Sequence, residues 1–589
     1  MFGKIVNIID RILYVENLKK QSLTNFIGYH VVFEDKKKIV GEIIFVNDNE
    51  FQIRLLGEIK NSMFIPGIDI YPFSTATCRL VYKNELELII GNQNIYDVKN
   101  ILFGKSSIYD GFSITANLND FFSNHFAVIG NTGSGKSCGV ARILQNIFSE
   151  NKKNPLNSHV IMFDAYGEYI NSFKKINNHP DVNVKILTSK NTGEIPNSEL
   201  IKIPPYLLDA DDIAILLNIE DPTLIPTIEK TLKYVYIFKS DDKMCDKYKN
   251  DIVAKGFLEM LSSGKAAQQI RDQALAFLSK YNTKDINLET VIVQPGLNRT
   301  IRQCLNVDTQ GKILALELLI DYVKKFSEVK IEQIVTMPTE YSLSDLYYAL
   351  EFAIVSEGAM NNPSIYEKMN ALKTRLHAII NSDAKTFFEY NEYVSRETYI
   401  KRLFMTPNED PVQLIDVDFN SIDDRMSKIL IKLMIKIFYK FSVSIEERGS
   451  FPINILIEEA HRYIQLDNDI NIIGYNIFDR IAKEGRKYGL LLGVITQRLS
   501  ELSSNVLSQC SNFVVFRMFY PDDIAMITSI SSNVSLQDVE KVKSLRPGSA
   551  LLFGSAFKIP LVTQFKIPNP MPTSNNINLV DCWYSDKFW

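Results

Sequence analysis

The residues best suited to chemistry in this 589-residue chain fall in one run, His125-Phe-Ala-Val-Ile-Gly130-Asn131-Thr132-Gly133-Ser134-Gly135-Lys136-Ser137. An apolar strand-like stretch ends at Gly130, and from there to Ser137 the spacing is G-x-x-x-x-G-K-S. Cys138 to Phe148 follows at once with Val140, Ile143, Leu144 and Ile147 at helical spacing. Strand, glycine-rich loop and helix are the context a phosphate-binding loop needs. Its glycines let the backbone curl, so that N–H groups from Gly130 to Cys138 can point at phosphate oxygens. Lys136 would reach the β- and γ-phosphates as a point charge, and the Ser137 hydroxyl would ligate Mg²⁺. ATP and Mg²⁺ are therefore the expected cofactors.

The remaining chemistry is carried by acids and cations at strand ends. Ile453-Asn-Ile-Leu-Ile-Glu458-Glu459 is an apolar strand running straight into two carboxylates. Glu458 would hold the Mg²⁺ shell through water, and Glu459 would orient or deprotonate the attacking water. Asp164 ends a second apolar strand, His159-Val-Ile-Met-Phe-Asp164, and either joins the metal site or caps the next helix, the role also read for Glu168. Leu490 to Thr496 is a third strand, and its polar end, Thr496-Gln497, suits a sensor of γ-phosphate and water. Arg486, in Lys483-Glu-Gly-Arg486-Lys487-Tyr-Gly489, is either an arginine finger or a cation at a helix C-terminus; Lys487 fits the latter.

Elements must position these groups. The chain is too long for one core, so several domains are expected. Residues 1–95 read as a small β-barrel: short β-branched and aromatic runs at 29–34, 39–46 and 51–57, with a hairpin signal at Asn47-Asp-Asn-Glu50. The run Lys36-Lys37-Lys38 reads as a solvated hairpin tip. Residues 96–195 and 401–566 are the two parts of an α/β ATPase core, and 196–400 a mainly helical insertion without a chemical motif. Residues 567–589 form a Pro- and Asn-rich arm across a neighbouring surface, or a disordered tail. Gly104-Lys105-Ser106 lacks the motif's first glycine and is set aside as a second loop.

Bulk properties narrow the function classes. Hydrophobic residues are 46% and charged residues 23%, ordinary for a globular protein. No apolar run spans a bilayer, and the first residues are no secretory signal, so a cytoplasmic protein without a membrane partner is expected. Six scattered cysteines (78, 138, 245, 304, 510, 582) and six histidines show no zinc spacing. With a formal net charge of −4, any DNA-binding surface must be local.

Taken together, these residues resemble the HerA family of DNA-translocating ATPases, relatives of FtsK. The resemblance rests on His125–Ser137, Asp164-Ala-Tyr-Gly-Glu-Tyr169, Leu456-Ile-Glu-Glu-Ala-His461 and Ile481-Ala-Lys-Glu-Gly-Arg-Lys-Tyr-Gly489. It continues in Thr496-Gln-Arg498, Val506–Cys510 and Leu551–Pro560, and the N-terminal β-region is similar to that family's barrel. It implies a RecA-like core and a homohexameric ring around double-stranded DNA, with ATP at each subunit boundary. It further implies Lys136 and Ser137 as nucleotide ligands, Glu459 as the catalytic acid, Gln497 as sensor and Arg486 as a finger given in trans. A nuclease partner of the NurA type is implied, or a sirtuin-like or nuclease effector in anti-phage relatives. The alternative function is an ATP-binding hexameric scaffold that activates such an effector with little translocation. Two positions depart from the pattern: Asn124 precedes His125 where many relatives have arginine, and Tyr166 stands in the Asp164 motif in place of a Pro-His pair.

Overall fold

Through residues 3–80, stretches such as 3–5, 12–16 and 50–54 alternate between buried and more exposed, as a sheet curled round its own core requires. In the computed structural model these residues form β1 (Gly3–Ile9), β2 (Ile12–Asn17), β3 (His30–Glu34), β4 (Lys38–Val46), β5 (Glu50–Lys60), β6 (Met63–Pro66) and β7 (Thr77–Leu80), paired antiparallel throughout. The order β2-β1-β7-β3-β4-β5 returns to β2, so six strands close a barrel and β6 hangs on β5. Leu13, Val15, Phe33, Ile43, Phe51 and Ile53 fill it. Lys37 and Lys38 sit at the β3–β4 tip, reaching Glu58 at 3.1 Å and Glu85 at 3.2 Å. The structure describes residues 3–584 except 10–11, 18–25, 48, 92–93, 149–153, 178–180, 190–197, 241–242, 295–296, 328–339, 357–362, 466, 531–533 and 574–578.

The continuous apolar runs read from the sequence become central strands, because a parallel strand is buried on both faces. The core contains β8 (Asn100–Ser106), β9 (Ser113–Asn117), β10 (His125–Ile129), β11 (His159–Asp164), β12 (Val184–Thr188) and β13 (Ser198–Leu200). After a small hairpin in the insertion, β14 (Val291–Gln294) and β15 (Leu297–Thr300), it resumes with β16 (Leu414–Asp418), β17 (Ile453–Ile457), β18 (Leu490–Thr496), β19 (Cys510–Phe516), β20 (Ser549–Gly554) and β21 (Leu561–Gln564). The sheet order is β13-β12-β16-β11-β17-β18-β10-β19-β20-β21-β8-β9. The strands from β13 to β19 are parallel, and those from β20 to β9 antiparallel.

Two features differ from the sequence reading. The connector before the phosphate loop is the β8–β9 hairpin at the far sheet edge. Within it, Gly104 lies so close to β21 that a Cβ would meet the Gln564 carbonyl at 2.2 Å. That close approach, and no phosphate, accounts for the glycine of Gly104-Lys105-Ser106. At the other edge, β13 pairs with β12, so the sheet continues past residue 195 into the segment assigned to the insertion.

The insertion packs helices such as Ile225–Lys239, Lys243–Leu261, Ala267–Lys280, Leu343–Ser356 and Pro363–Ile380 around one apolar core continuous with one face of the sheet. Its link to the sheet is also ionic. The helix Asp424–Ser444 places Lys432, Lys436 and Lys440 four residues apart on one face. Lys432 meets Asp467 and Asp469, Lys436 meets Asp212 at 2.9 Å, and Lys440 meets Asp209 at 2.6 Å. Arg54 of the barrel pairs with Glu42 and with Asp538 of the core, and Lys541 reaches Glu42 at 2.7 Å. The arm runs over its own chain: Asn569 N–H donates to Gln145 at 3.0 Å, and Thr573 N–H donates to the Glu168 carbonyl at 2.8 Å. Among the described residues no helix is long and apolar enough to cross a membrane.

Candidate active site

β10 lies between β18 and β19, and its end sets the phosphate loop at the C-terminal edge of the parallel strands, where open α/β sheets bind ligands. Gly130 N–H donates to the Thr496 carbonyl at 3.2 Å and Asn131 N–H to the Arg517 carbonyl at 3.1 Å, pinning the loop base to both neighbours. Inside the loop, Ser134 N–H donates to the Asn131 carbonyl at 3.0 Å. Gly133 and Gly135 have φ of 73° and 97°, and a Cβ on Gly135 would meet the Gly548 nitrogen at 2.7 Å. The N–H groups of Gly133, Gly135, Lys136, Ser137 and Cys138 have no acceptor among the described residues. They surround the N-terminus of the 13-residue helix Lys136–Phe148, which favours an anion. Thr132 and Ser134 complete the turn; the Ser134 hydroxyl is buried and has no partner among the described residues. Burial pushes the Cys138 thiol up, so its backbone N–H is the group it offers.

The structure brings three sequence-predicted residues to this loop. Lys136 Nζ lies 3.2 Å from Glu459 Oε1, with both side chains buried. Glu459 follows the end of β17 with a left-handed backbone, φ 47°, which costs roughly 1–2 kcal/mol and is held by its surroundings. Gln497, just after β18, accepts a hydrogen bond from Thr132 Oγ1 at 2.7 Å. One further side chain joins them. His461 Nδ1 is 3.2 Å from Glu459 Oε2 and 3.0 Å from Thr496 Oγ1. Burial lowers its pKa, against the pull of Glu459, so the ring is neutral.

Beneath this layer is an acidic pocket. Glu458, Asp164 and Asp418 come from the ends of β17, β11 and β16, and Asp416 from the middle of β16. Burial raises the pKa of Glu458 well above the carboxylate range, and the neighbouring Asp164 raises it further. Asp416, fully buried, is raised in the same way, with Asp164 adding to the effect of burial. Asp164 braces the turn ahead of the helix Ile170–Asn177, its oxygens accepting from Tyr166 N–H at 3.1 Å and Tyr169 N–H at 2.8 Å, and it lies against Glu458. Glu168 is half-buried on the following turn. The Tyr169 hydroxyl, fully buried, donates to Glu458 Oε1 at 3.2 Å and hydrogen-bonds Ser137. Ser137 and Glu458 therefore share one orienting group, and Glu458 Oε2 is buried without a partner among the described residues. This donor set fits a hard dication. Ser137 and Glu458 offer oxygen donors, though among the described residues no three acidic, histidine or cysteine side chains are grouped to hold a metal ion, and a positive charge beside Glu458 would let it ionise.

Arg486 stands elsewhere. It is exposed on the short turn Gly485–Tyr488 before β18, at the N-terminal edge of the sheet. The length of β18, about 20 Å, separates it from the phosphate loop of its own chain. Lys487 is exposed beside it. Asn124 is buried, its amide donating to the Asp120 carbonyl at 2.8 Å, and has a structural role. His125 accepts from Leu492 N–H at 2.9 Å, and burial lowers its pKa to about 4. Tyr169, His461 and Thr496 stood inside quoted motifs, but strand-end spacing assigns no task to a tyrosine or histidine. Their roles depend on contacts 35 to 289 residues apart in sequence.

A phosphate loop, a buried carboxylate beside its lysine and a polar strand end lying between them define a phosphate-loop ATPase with a strand, β18, intervening between the loop strand and the acid strand. The family described as Helicase HerA, central domain, matches residues 103–437, more than half of the sequence. The chain belongs to the HerA helicase family. It is similar to the DNA double-strand break repair helicase HerA of Pyrococcus furiosus, with 22% identity over 513 residues, 87% of this chain and 76% of that protein. The protein of the same name from Sulfolobus acidocaldarius is 21% identical over 594 residues, covering 95% of this chain and 92% of that one. Among solved structures, VirB4 of Thermoanaerobacter pseudethanolicus aligns with a TM-score of 0.40 and 14% identity, over 79% of this chain and 96% of that one.

Proposed function

We propose that this ATPase is a DNA translocase of the HerA type, working in the cytoplasm as a homohexameric ring on double-stranded DNA with ATP and Mg²⁺. The observation that carries this reading is the contact chain from Lys136 through Glu459 and His461 to Thr496, with Gln497 on Thr132. It ties the phosphate loop and the catalytic acid to one strand end, so a change at the γ-phosphate reaches β18. The backbone N–H groups of the loop and Lys136 bind the phosphates. Ser137 and Glu458, oriented by Tyr169, would hold Mg²⁺, which supplies charge neutralisation at the phosphates when bound. Glu459 takes a proton from the attacking water, and Gln497 positions that water. Arg486 is too far from its own loop to act there, which supports its delivery to the site of an adjacent subunit. Duplex DNA as the substrate is supported by the relatives, which are DNA repair helicases by name. A nuclease of the NurA type, or a sirtuin-like or nuclease effector, is the partner such a motor would serve.

The test is ATP hydrolysis by the full chain with and without linear duplex DNA, at low and moderate salt. Stimulation by DNA that weakens as salt rises is expected, because phosphate contacts release counterions. A rate that DNA leaves unchanged at both salts overturns the DNA motor.

A further inference from the structure

The geometry points to residues 568–573 as a strap on the nucleotide site. Seated on Gln145, they hold the Tyr169 turn against the phosphate-loop helix and so set how tightly the site takes Mg²⁺ with its nucleotide. This inference rests on Ser137 and Glu458 being the Mg²⁺ ligands of the proposed reaction.

The sequence of the strap suits it to this task. Pro568, Pro570 and Pro572 alternate with Asn569, Met571 and Thr573. Pro568 and Pro572 are buried and Pro570 half-buried, while Asn569, Met571 and Thr573 are exposed. The prolines fix φ at every second position, so the stretch has little conformational freedom to lose on docking. What it offers the chain beneath is its backbone. Gln145, 1% exposed on the helix Lys136–Phe148, accepts from Asn569 N–H at 3.0 Å and donates to the Pro570 carbonyl at 2.9 Å. The same amide donates to the Ser172 carbonyl at 3.0 Å, in the first turn of the helix Ile170–Asn177. Asn171 donates to the Met571 carbonyl at 3.0 Å, and Thr573 N–H to the Glu168 carbonyl at 2.8 Å. The strap thus grips residues on both sides of Tyr169, whose hydroxyl meets Glu458 at 3.2 Å and Ser137. Gln145 and Ser137 share one helix, eight residues or about 12 Å apart. The helix that presents Ser137 and the turn that presents Tyr169 are therefore fixed to each other at a second place. A bridge made by one hydroxyl depends on that spacing. The N–H groups offered to phosphate belong to the loop itself, and among the described residues the strap makes no hydrogen bond to it. The strap bears on the metal, and Gln145 is a positioning residue that acts through Tyr169.

Binding of a fluorescent ATP analogue to the full chain, titrated with Mg²⁺ and in its absence, tests this in Gln145→Met, Thr573→Pro and Tyr169→Phe. Methionine keeps the length of Gln145 without its hydrogen bonds. Thr573→Pro removes one N–H at an exposed position of the strap, and it decides the matter should Gln145→Met fail to fold. Tyr169→Phe removes the bridging hydroxyl alone. Loss of a group that orients metal ligands costs about 10- to 100-fold in metal affinity. Gln145→Met and Tyr169→Phe are each expected to raise the Mg²⁺ concentration for half-maximal binding about tenfold, and Thr573→Pro about threefold. Affinity without Mg²⁺ should stay within about twofold of the unaltered chain in all three. Because the strap acts through Tyr169, combining Gln145→Met with Tyr169→Phe should leave the Mg²⁺ requirement near that of either alone, where independent effects would give about 100-fold. The inference is overturned if Thr573→Pro and a folded Gln145→Met need no more Mg²⁺ than the unaltered chain, if affinity without Mg²⁺ falls in step, or if the two losses multiply. Glu458→Gln separates the two levels. If that variant needs no more Mg²⁺ than the unaltered chain, the assignment of Glu458 itself fails, and the strap loses its route to the metal with it.

Discussion

Replacing Lys436 is the sharpest test of how the insertion is fastened to the ATPase core. Its side chain is 1% exposed and that of Asp212 is fully buried. The ammonium and a carboxylate oxygen lie 2.9 Å apart, yet neither atom has a partner of hydrogen-bond geometry. The pair is thus desolvated on both sides and held by charge attraction alone. Burial raises the pKa of Asp212 against the pull of Lys436 and Lys440, the mark of a site where desolvation outweighs attraction. Lys436→Met leaves Asp212 beside Lys440 and should cost about 3 kcal/mol. Asp212→Leu leaves Lys436 facing Asp209 and Asp211 at 4.0 and 3.9 Å, and should cost about 4 kcal/mol. The second figure includes about 1 kcal/mol for the capping box of the helix Ala210–Leu216, in which Asp212 accepts Asp209 N–H. The double variant removes both buried charges and should cost only about that capping loss, about 1 kcal/mol. Urea unfolding followed by far-ultraviolet circular dichroism, with ATP hydrolysis as a second probe, measures all three variants. Additive losses in the double variant, near 7 kcal/mol, would refute the reasoning, because they would mean that the two side chains stabilise the fold independently.

Three further outcomes are expected. Gly135→Ala should abolish binding of a fluorescent ATP analogue with little loss of helix signal, because a Cβ meets Gly548 backbone at 2.7 Å and φ is 97°; retained binding would contradict the loop geometry. Arg486→Ala chains should hydrolyse ATP about 1000-fold more slowly, and mixing them with Lys136→Ala chains should restore part of the rate, since mixed boundaries pair an intact loop with an intact arginine; no recovery in mixtures would rule out delivery in trans. Glu85, held by two Arg79 bonds of 2.8 Å, has its pKa lowered to about 2. A lowered carboxyl stabilises the fold above its unfolded value and loses this as pH falls through the folded one. The stability gap between the unaltered chain and Glu85→Gln, about 2 kcal/mol near neutrality, should therefore close between pH 4.5 and 2; a gap independent of pH would remove the charge from the account.

The sequence made the loop, the strand bearing Glu458 and Glu459, and the Thr496-Gln497 strand end legible because each is a local pattern. A buried parallel strand is apolar throughout, and a phosphate loop has fixed glycines. The β8–β9 hairpin was not legible because Phe103-Gly-Lys-Ser breaks alternation where Gly104 approaches β21, a contact made across the chain. β13, three residues long, carries too few residues to show a period. The hydrogen bonds Asp164 makes depend on the turn that brings Tyr166 and Tyr169 N–H to it. A Pro- and Asn-rich composition suits an arm and a disordered tail alike; the described stretch of residues 567–573 lies on Gln145, Asn171 and Glu168 of its own chain.

The position of β21 in the sheet bears on how the protein is made. This strand, near the end of the chain, joins the β8–β9 hairpin to the parallel strands through Thr563–Ser106 and Gln564–Lys105. The barrel's ionic partners in the core, Asp538 and Lys541, are also late in sequence. On a ribosome the barrel and hairpin emerge more than four hundred residues ahead of the segments they pair with. A closed barrel, with few free edges, can wait in that condition, and the open edge of β8 must be shielded until the last strand arrives. The ATPase sheet can thus be completed only after β21 has been synthesised.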